Sequence, residues 1–121
     1  MEDLNAGDLS IQAALAKDNM SVQLMLRGRS NDRQPTRLLS PYFTTAVATA
    51  AAANVPLELH FEQLEHFNSS TITVLIQLIQ EARAKGIKLS FIYRQDLKWQ
   101  KLSFDALKVF TKDGQLELRA V

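Results

Sequence analysis

The stretch Leu57-Glu58-Leu59-His60-Phe61-Glu62 alternates apolar and polar side chains along its whole length. Successive side chains of a strand point to opposite faces, so Leu57, Leu59 and Phe61 share one face and Glu58, His60 and Glu62 the other. A strand covered by helices on both sides is apolar throughout, and this one is not. An apolar helical pattern follows, centred on Val74-Leu75-Ile76-Gln77-Leu78-Ile79, and then a second strand, Lys88-Leu89-Ser90-Phe91-Ile92-Tyr93. A one-faced strand inside a strand–helix–strand series predicts a sheet whose helices lie mainly on one side.

The rest of the chain fits that frame. Residues 1–7 read as a frayed leader. Leu9–Leu15 alternates partially, and Val22, Leu24 and Leu26 alternate again after the turn cluster Lys17-Asp18-Asn19, which together predict an antiparallel hairpin. Gly28 through Pro35 is polar and breaker-rich, hence a loop. Ser40-Pro41 reads as a helix cap with proline in the first helical position. Phe43, Ala46, Val47 and Ala50 share the face of that helix, and Asn54 with Val55-Pro56 ends it.

The next helix, from about Thr71 to Lys85, has a core stripe of Ile72, Leu75, Ile76, Ile79 and Ala82, with Val74 and Leu78 off the stripe and Gly86 as its stop. Arg94–Lys98 is a loop. Trp99, Leu102, Ser103, Ala106, Leu107 and Phe110 form the inner face of a last helix, and Leu116–Arg119 a short strand at a sheet edge. The order is β-β-α-β-α-β-α-β: an α/β fold with a mixed sheet, as one domain over residues 1–121.

The composition narrows the chemistry. The 121 residues include no cysteine, which excludes disulfides, thiolate metal sites and cysteine nucleophiles. A net charge of +1 favours neither nucleic acid nor a membrane surface. No secretory signal or bilayer-spanning run is legible, so a cytoplasmic location is expected. Two local biases stand out: Arg27, Arg29, Arg33 and Arg37 in one stretch, and Glu58, Glu62 and Glu65 beside the segment described next.

That segment is His66-Phe67-Asn68-Ser69-Ser70-Thr71-Ile72-Thr73, where the alternating strand hands over to the helix. Asn68, Ser69 and Ser70 are all good N-cap residues, and one of them caps the helix. Capping needs only one, which leaves hydroxyls to be explained. The chain has no phosphate-cradling glycine loop and no metal-ligand pattern; His60, on the polar face of its strand, reads as a solvated surface residue. A hydrolase would use Ser69 or Ser70 with His66 as base, but no small-residue elbow and no orienting carboxylate accompany them. Catalytic residues, metal sites and cofactors are therefore not expected. Covalent phosphorylation fits the cluster better. A phosphate brings about −1.5 to −2 charges near neutral pH. The free N–H groups and dipole at a helix N-terminus tolerate that charge.

Asn68-Ser69-Ser70 resembles the Asp-Ser-Ser motif that ends a strand-to-helix loop in STAS domains, the fold of bacterial anti-sigma factor antagonists. Asn68-Ser69-Ser70-Thr71 is more closely similar to the Asn-Thr-Ser-Ser segment of the STAS-like SiaC family of regulatory phosphoproteins. The likeness extends to the Gly28-Arg29-Ser30 loop, the helix after Pro41 and the Tyr93-Arg94-Gln95-Asp96 region, over roughly residues 20–112. Two departures are Asn68 in place of the antagonists' aspartate, and Thr71-Ile72 where a glycine usually follows their serine pair. The resemblance implies a STAS-like fold and a non-enzymatic switch in a partner-switching pathway, phosphorylated at Ser69 and less favourably at Ser70 or Thr71.

The implied partners are a serine/threonine kinase, a PP2C-type phosphatase and an effector, either an anti-sigma kinase or a diguanylate cyclase. Asn68, Ser70, Thr71, Val74 and Leu78 are the expected partner-binding residues. A phosphorylation-independent interaction or scaffold domain, homodimeric through the same helix, is the alternative.

Overall fold

The structure is a computed structural model that describes residues 1–15 and 20–121. The turn expected at Lys17-Asp18-Asn19 lies outside the described residues. The strands are β1 (Leu4–Ala6), β2 (Leu9–Leu15), β3 (Val22–Ser30), β4 (Leu57–Phe67), β5 (Leu89–Tyr93) and β6 (Leu116–Ala120). The helices are α1 (Leu39–Ala53), α2 (Ser69–Ala84) and α3 (Lys98–Asp105), with 3-10 turns at Pro35–Arg37 and Ala106–Phe110. All six strands form one sheet in sequence order. The pairs β1–β2 and β2–β3 are antiparallel, and β3–β4, β4–β5 and β5–β6 are parallel.

A parallel series in sequence order, joined by right-handed crossovers, puts every crossover helix on the same face. The core confirms this. Leu9 and Ile11, Val22, Leu24 and Leu26, Leu57, Leu59 and Phe61, Leu89, Phe91 and Tyr93, and Leu116 all point into one cluster with the helices. Along the opposite face Gln12, Met25, His60, Ile92 and Arg119 stand side by side across five strands. The one-faced alternation of β4 recurs in β3, while β5 is buried on both faces, with Ser90 and Ile92 at 4% and 3% exposed.

Three features differ from the sequence reading. Residues 4–6 do not fray: they pair with Leu9–Ile11 as β1. Tyr42 on α1 helps hold this end down by donating its hydroxyl to the Glu2 carbonyl at 2.8 Å. Helix α1 begins at Leu39, without a side-chain cap, because the turn at Pro35–Arg37 runs almost directly into it. Pro41 still falls among the first turn's unpaired N–H positions, and Ser40 donates instead to Gln77 of α2 at 3.3 Å.

The third difference shapes the functional end of the molecule. β3 and β4 both run past the expected Gly28 and Glu62, with Arg29 opposite His66 and Ser30 opposite Phe67. Two register shifts interrupt this arm, one of them at Gly28, whose φ of +87° only glycine adopts readily. A Cβ there would sit 2.0 Å from the Asp8 carbonyl oxygen.

β5 pairs with β4 only as far as His60 opposite Ile92, so β4 loses its second neighbour halfway along. Gln100 of α3, 0% exposed, takes over: its Nε2 donates to the Phe61 carbonyl at 2.7 Å and the Leu64 carbonyl at 3.1 Å, and its Oε1 accepts from the Arg94 N–H at 2.8 Å. The last helix accordingly buries Gln100, Phe104 and Leu107, while Leu102 is 61% exposed and Ala106 also faces solvent.

Candidate functional site

The β3–β4 arm ends in a corner where β4 turns into α2. Asn68 is the pivot, extended at φ −89° and ψ 175°. Its N–H donates to the Ser30 carbonyl at 3.0 Å, which carries the β3 pairing to the last residue before the helix. Its Oδ1 accepts from the Thr71 N–H at 2.9 Å, the N-cap bond, and from the Thr71 hydroxyl at 2.7 Å. Its Nδ2 donates to the Asp32 carbonyl at 2.8 Å. Both ends of the amide are therefore used. An aspartate could cap the helix equally well, but would turn a carboxylate oxygen toward the Asp32 carbonyl. The Asn68 departure from the antagonist motif has this local cause.

The hydroxyls of the segment divide into different roles. Thr71 is 2% exposed and shares a 2.7 Å hydrogen bond with the Ser30 hydroxyl. Held also by Asn68, it is a structural residue: neither a partner nor a kinase reaches its oxygen. Ser70 is half-buried. Ser69 is exposed, and its hydroxyl has no hydrogen-bond partner among the described residues. Asn68 is half-buried, with its side chain fully engaged.

The apolar contact residues expected on α2 require correction. Val74 and Leu78 are each 1% exposed and belong to the core. The buried stripe is Thr71, Val74, Leu75, Leu78, Ile79 and Ala82. It is rotated from the expected one because the hydrogen-bonded Thr71 turns inward. Ile72 and Ile76 are only partly buried. They share a helical stripe with Arg83, which donates to the Phe110 carbonyl at 3.0 Å, so their flank faces the α3 side.

Trp99 at the start of α3 is half-buried beside the corner. Its ring meets Phe67 edge-on at 5.1 Å and lies 6.4 Å from His66. The sequence placed Trp99 on an inner helix face and gave no sign that it reaches residues flanking Ser69.

The basic stretch also falls into place. Arg27, Arg29, Arg33 and Arg37 are all exposed, and among the described residues none forms an ion pair. Arg29 stands across the strands from His66. Ser30 and Asp32, whose carbonyls hold Asn68, line a cleft of about 270 Å³ with Gly7, Asp8, Arg29 and Leu39. The cleft thus backs onto the Ser69 corner. Further along, the Arg94 guanidinium hydrogen-bonds Asp96 at 2.6 Å and holds that carboxyl below its ordinary range.

His66 is exposed and has no hydrogen bond or ion pair among the described residues, so no carboxylate orients it toward a serine. His60 is not the solvated residue expected: its Nδ1 lies 2.9 Å from Glu62, and its Nε2 is buried without a partner. No group of three metal-ligating side chains occurs among the described residues, and no helix there is long and apolar enough to cross a membrane.

No family model matches the sequence, and no curated protein matches it. Solved structures do. The complex of the diguanylate cyclase SiaD with its activator SiaC, from Pseudomonas aeruginosa, matches at 19% identity over 98% of this chain and 98% of that one, with a TM-score of 0.65. Apo-SiaC from the same organism matches at 19% identity over 99% and 98%, with a TM-score of 0.61. The phosphorylated form of the Bacillus cell-fate determinant SpoIIAA matches at 13% identity over 92% and 90%, with a TM-score of 0.57. The one-faced mixed sheet with its corner at Asn68-Ser69 is therefore a STAS fold, the fold of the SpoIIAA-like anti-sigma factor antagonists and of SiaC.

Proposed function

We propose that this chain is a non-enzymatic regulatory protein of a bacterial partner-switching pathway, whose binding to an effector is controlled by reversible phosphorylation at Ser69. One observation carries the reading. Of the hydroxyl side chains at the corner, Ser69 alone among the described residues is both exposed and unengaged, while Asn68 and Thr71 are committed to holding it in place. A phosphate on Ser69 would sit on the first turn of a 16-residue helix, where free N–H groups and the helix dipole favour it. The uncompensated Arg29 and Arg33 flank the segment that pins Asn68, which adds local positive potential. The fold would therefore survive modification while the charge and bulk of the corner change.

The fold likeness gives the reading its context. SpoIIAA is an anti-sigma factor antagonist with phosphorylated and unphosphorylated forms, and SiaC is the activator of a diguanylate cyclase. By that analogy the effector is a diguanylate cyclase or an anti-sigma kinase, with a serine/threonine kinase and a PP2C-type phosphatase setting the state of Ser69. The apolar part of the effector surface is Ile72, Ile76 and Trp99, in place of Val74 and Leu78.

The test is a pull-down from the host with the wild-type chain, Ser69→Ala and Ser69→Asp, together with intact-mass measurement of the chain isolated from that host. The expected result is a phosphate mapped to Ser69, and capture of one effector by wild type and Ser69→Ala but not by Ser69→Asp. Equal capture by all three with no modification would sink the switch and leave a phosphorylation-independent scaffold.

A further inference from the structure

Strand β6 is the last strand of the sheet and pairs only with β5. Its register shows which groups are left over. The Leu89 N–H donates to the Gln115 carbonyl, and the Val121 N–H to the Tyr93 carbonyl. In a parallel ladder a residue turns both its N–H and C=O to the same side. Glu117 and Arg119 therefore face β5 along with Gln115 and Val121, and Leu116, Leu118 and Ala120 turn their backbone groups outward. Among the described residues these outward groups have no partner. The strand has no proline or bulge, and no element among the described residues pairs with its outer side, as protected edges commonly show. Beside it runs an open depression of about 460 Å³ lined by Lys108, Thr111, Leu116 and Leu118. Val109 on the neighbouring 3-10 turn is 63% exposed.

We infer that this edge pairs with a second copy of the chain, β6 against β6, antiparallel about a two-fold axis through Leu118. The side-chain charges select both the occupant and the register. With Leu118 opposite its own copy, the two leucines exchange N–H···O bonds, and Leu116 and Ala120 do the same with Ala120 and Leu116 of the other copy. Between these rungs Glu117 falls opposite Arg119 of the other copy, twice by symmetry, on the open face of the sheet. Both side chains are accessible there, at 40% and 48%; within one copy they pair with each other at 3.0 Å, and the cross-copy pairs extend that pair into an alternating row of charges.

The two neighbouring registers that keep the outward groups paired are centred one residue away. One sets Glu117 against Glu117, the other Arg119 against Arg119, and like charges directly opposite are destabilising. The sequence Leu116-Glu117-Leu118-Arg119-Ala120 is thus self-complementary in one antiparallel register only. The result is a continuous twelve-stranded sheet across two copies. A strand of five residues buries less than the roughly 1,200 Å² of a standard stable interface, so the dimer is weak and concentration-dependent. The inference does not rest on Ser69, whose corner is carried by β4, two strands away.

The test is sedimentation equilibrium of the purified chain over a dilution series reaching millimolar, with the Leu118 amide followed by hydrogen exchange at both ends of the series. The expected mass rises from 13.6 kDa toward twice that value, and Leu118 exchange slows with concentration. Glu117→Arg or Arg119→Glu alone places like charges across the axis and shifts the chain back to monomer. The double variant Glu117→Arg/Arg119→Glu restores both cross-pairs and the dimer. The reversal also restores the Glu117–Arg119 pair within each copy, so circular dichroism of each single variant at monomer concentration separates loss of pairing from loss of folding. A chain that stays monomeric throughout overturns the inference. So does a dimer that ignores the single reversals, or one in which the Leu118 amide exchanges at the monomer's rate.

Discussion

The hydroxyl oxygens of Ser30 and Thr71 lie 2.7 Å apart, buried, joining the end of β3 to the first turn of α2 across 41 residues of sequence. This bond lies under the corner that presents Ser69. Thr71→Val keeps the side chain's shape but leaves the Ser30 hydroxyl, 3% exposed, without its partner. It also removes the hydroxyl bond to Asn68. The expected cost is about 1–3 kcal/mol in urea unfolding. The double variant Ser30→Ala/Thr71→Val should cost less than the sum of the two single variants, because both halves of the buried pair go together.

Gln100 is the other polar residue on which this end of the fold depends. Gln100→Leu preserves approximate volume but leaves the Phe61 and Leu64 carbonyls and the Arg94 N–H without their side-chain partner. A buried unsatisfied group costs about 1–3 kcal/mol, so a loss of about 3 kcal/mol or more is expected in denaturant unfolding. Gln100→Glu should be no better, since a carboxylate would face two carbonyl oxygens. A cost below about 1 kcal/mol for either variant would show that β4 does not rely on α3 for these bonds.

Both residues show where the sequence was legible and where it was not. The period-two alternation of β4 and the order of elements from β2 onward followed from apolar spacing, because burial on one face writes itself into the pattern. Thr71 and Gln100 are buried through hydrogen bonds whose partners lie 41 and 39 residues away, and hydrophobic periodicity cannot register such partners. Each displaced the expected face of its own helix: Thr71 turned Val74 and Leu78 inward, and Gln100 turned Leu102 outward. The arm beyond Gly28 read as a loop because its strands are polar and broken by register shifts. Residue type and position mark the hydroxyl cluster, and the resemblance marks Ser69 within it, whereas nothing marks Trp99 at the same corner, since only the fold brings it to Phe67.

Burial and the nearby Asp3 carboxylate raise the Tyr42 hydroxyl to about 12, against an ordinary 10.0. The folded state therefore holds this proton over a pH range in which the unfolded chain releases it. The associated stability is complete below about pH 10 and is lost as pH climbs through about 12. Phenolate absorbance of the folded chain should show a late phase near pH 12 that Tyr42→Phe removes. The same substitution should flatten the fall of the unfolding midpoint over that window. A Tyr42→Phe chain with an unchanged alkaline profile would assign the slope elsewhere.

Ile76 and Leu78, two residues apart on α2, separate surface from core. Leu78 is 1% exposed, and Leu78→Asp buries an unpaired charge among apolar side chains, so a loss of more than about 4 kcal/mol is expected, enough to unfold much of the population. Ile76 is only partly buried, so Ile76→Asp can turn its carboxylate to water at a cost of about 1 kcal/mol. Circular dichroism during heating measures both. The folded Ile76→Asp chain then reports on the effector surface, with Ile72→Asp and Trp99→Ala as companions. Pull-down of the effector should weaken at least tenfold for Ile76→Asp, the loss that about 1.4 kcal/mol of apolar contact represents. Full retention of binding in all three folded variants would move the effector surface off the α2–α3 flank, toward the arginine-lined side of the same corner.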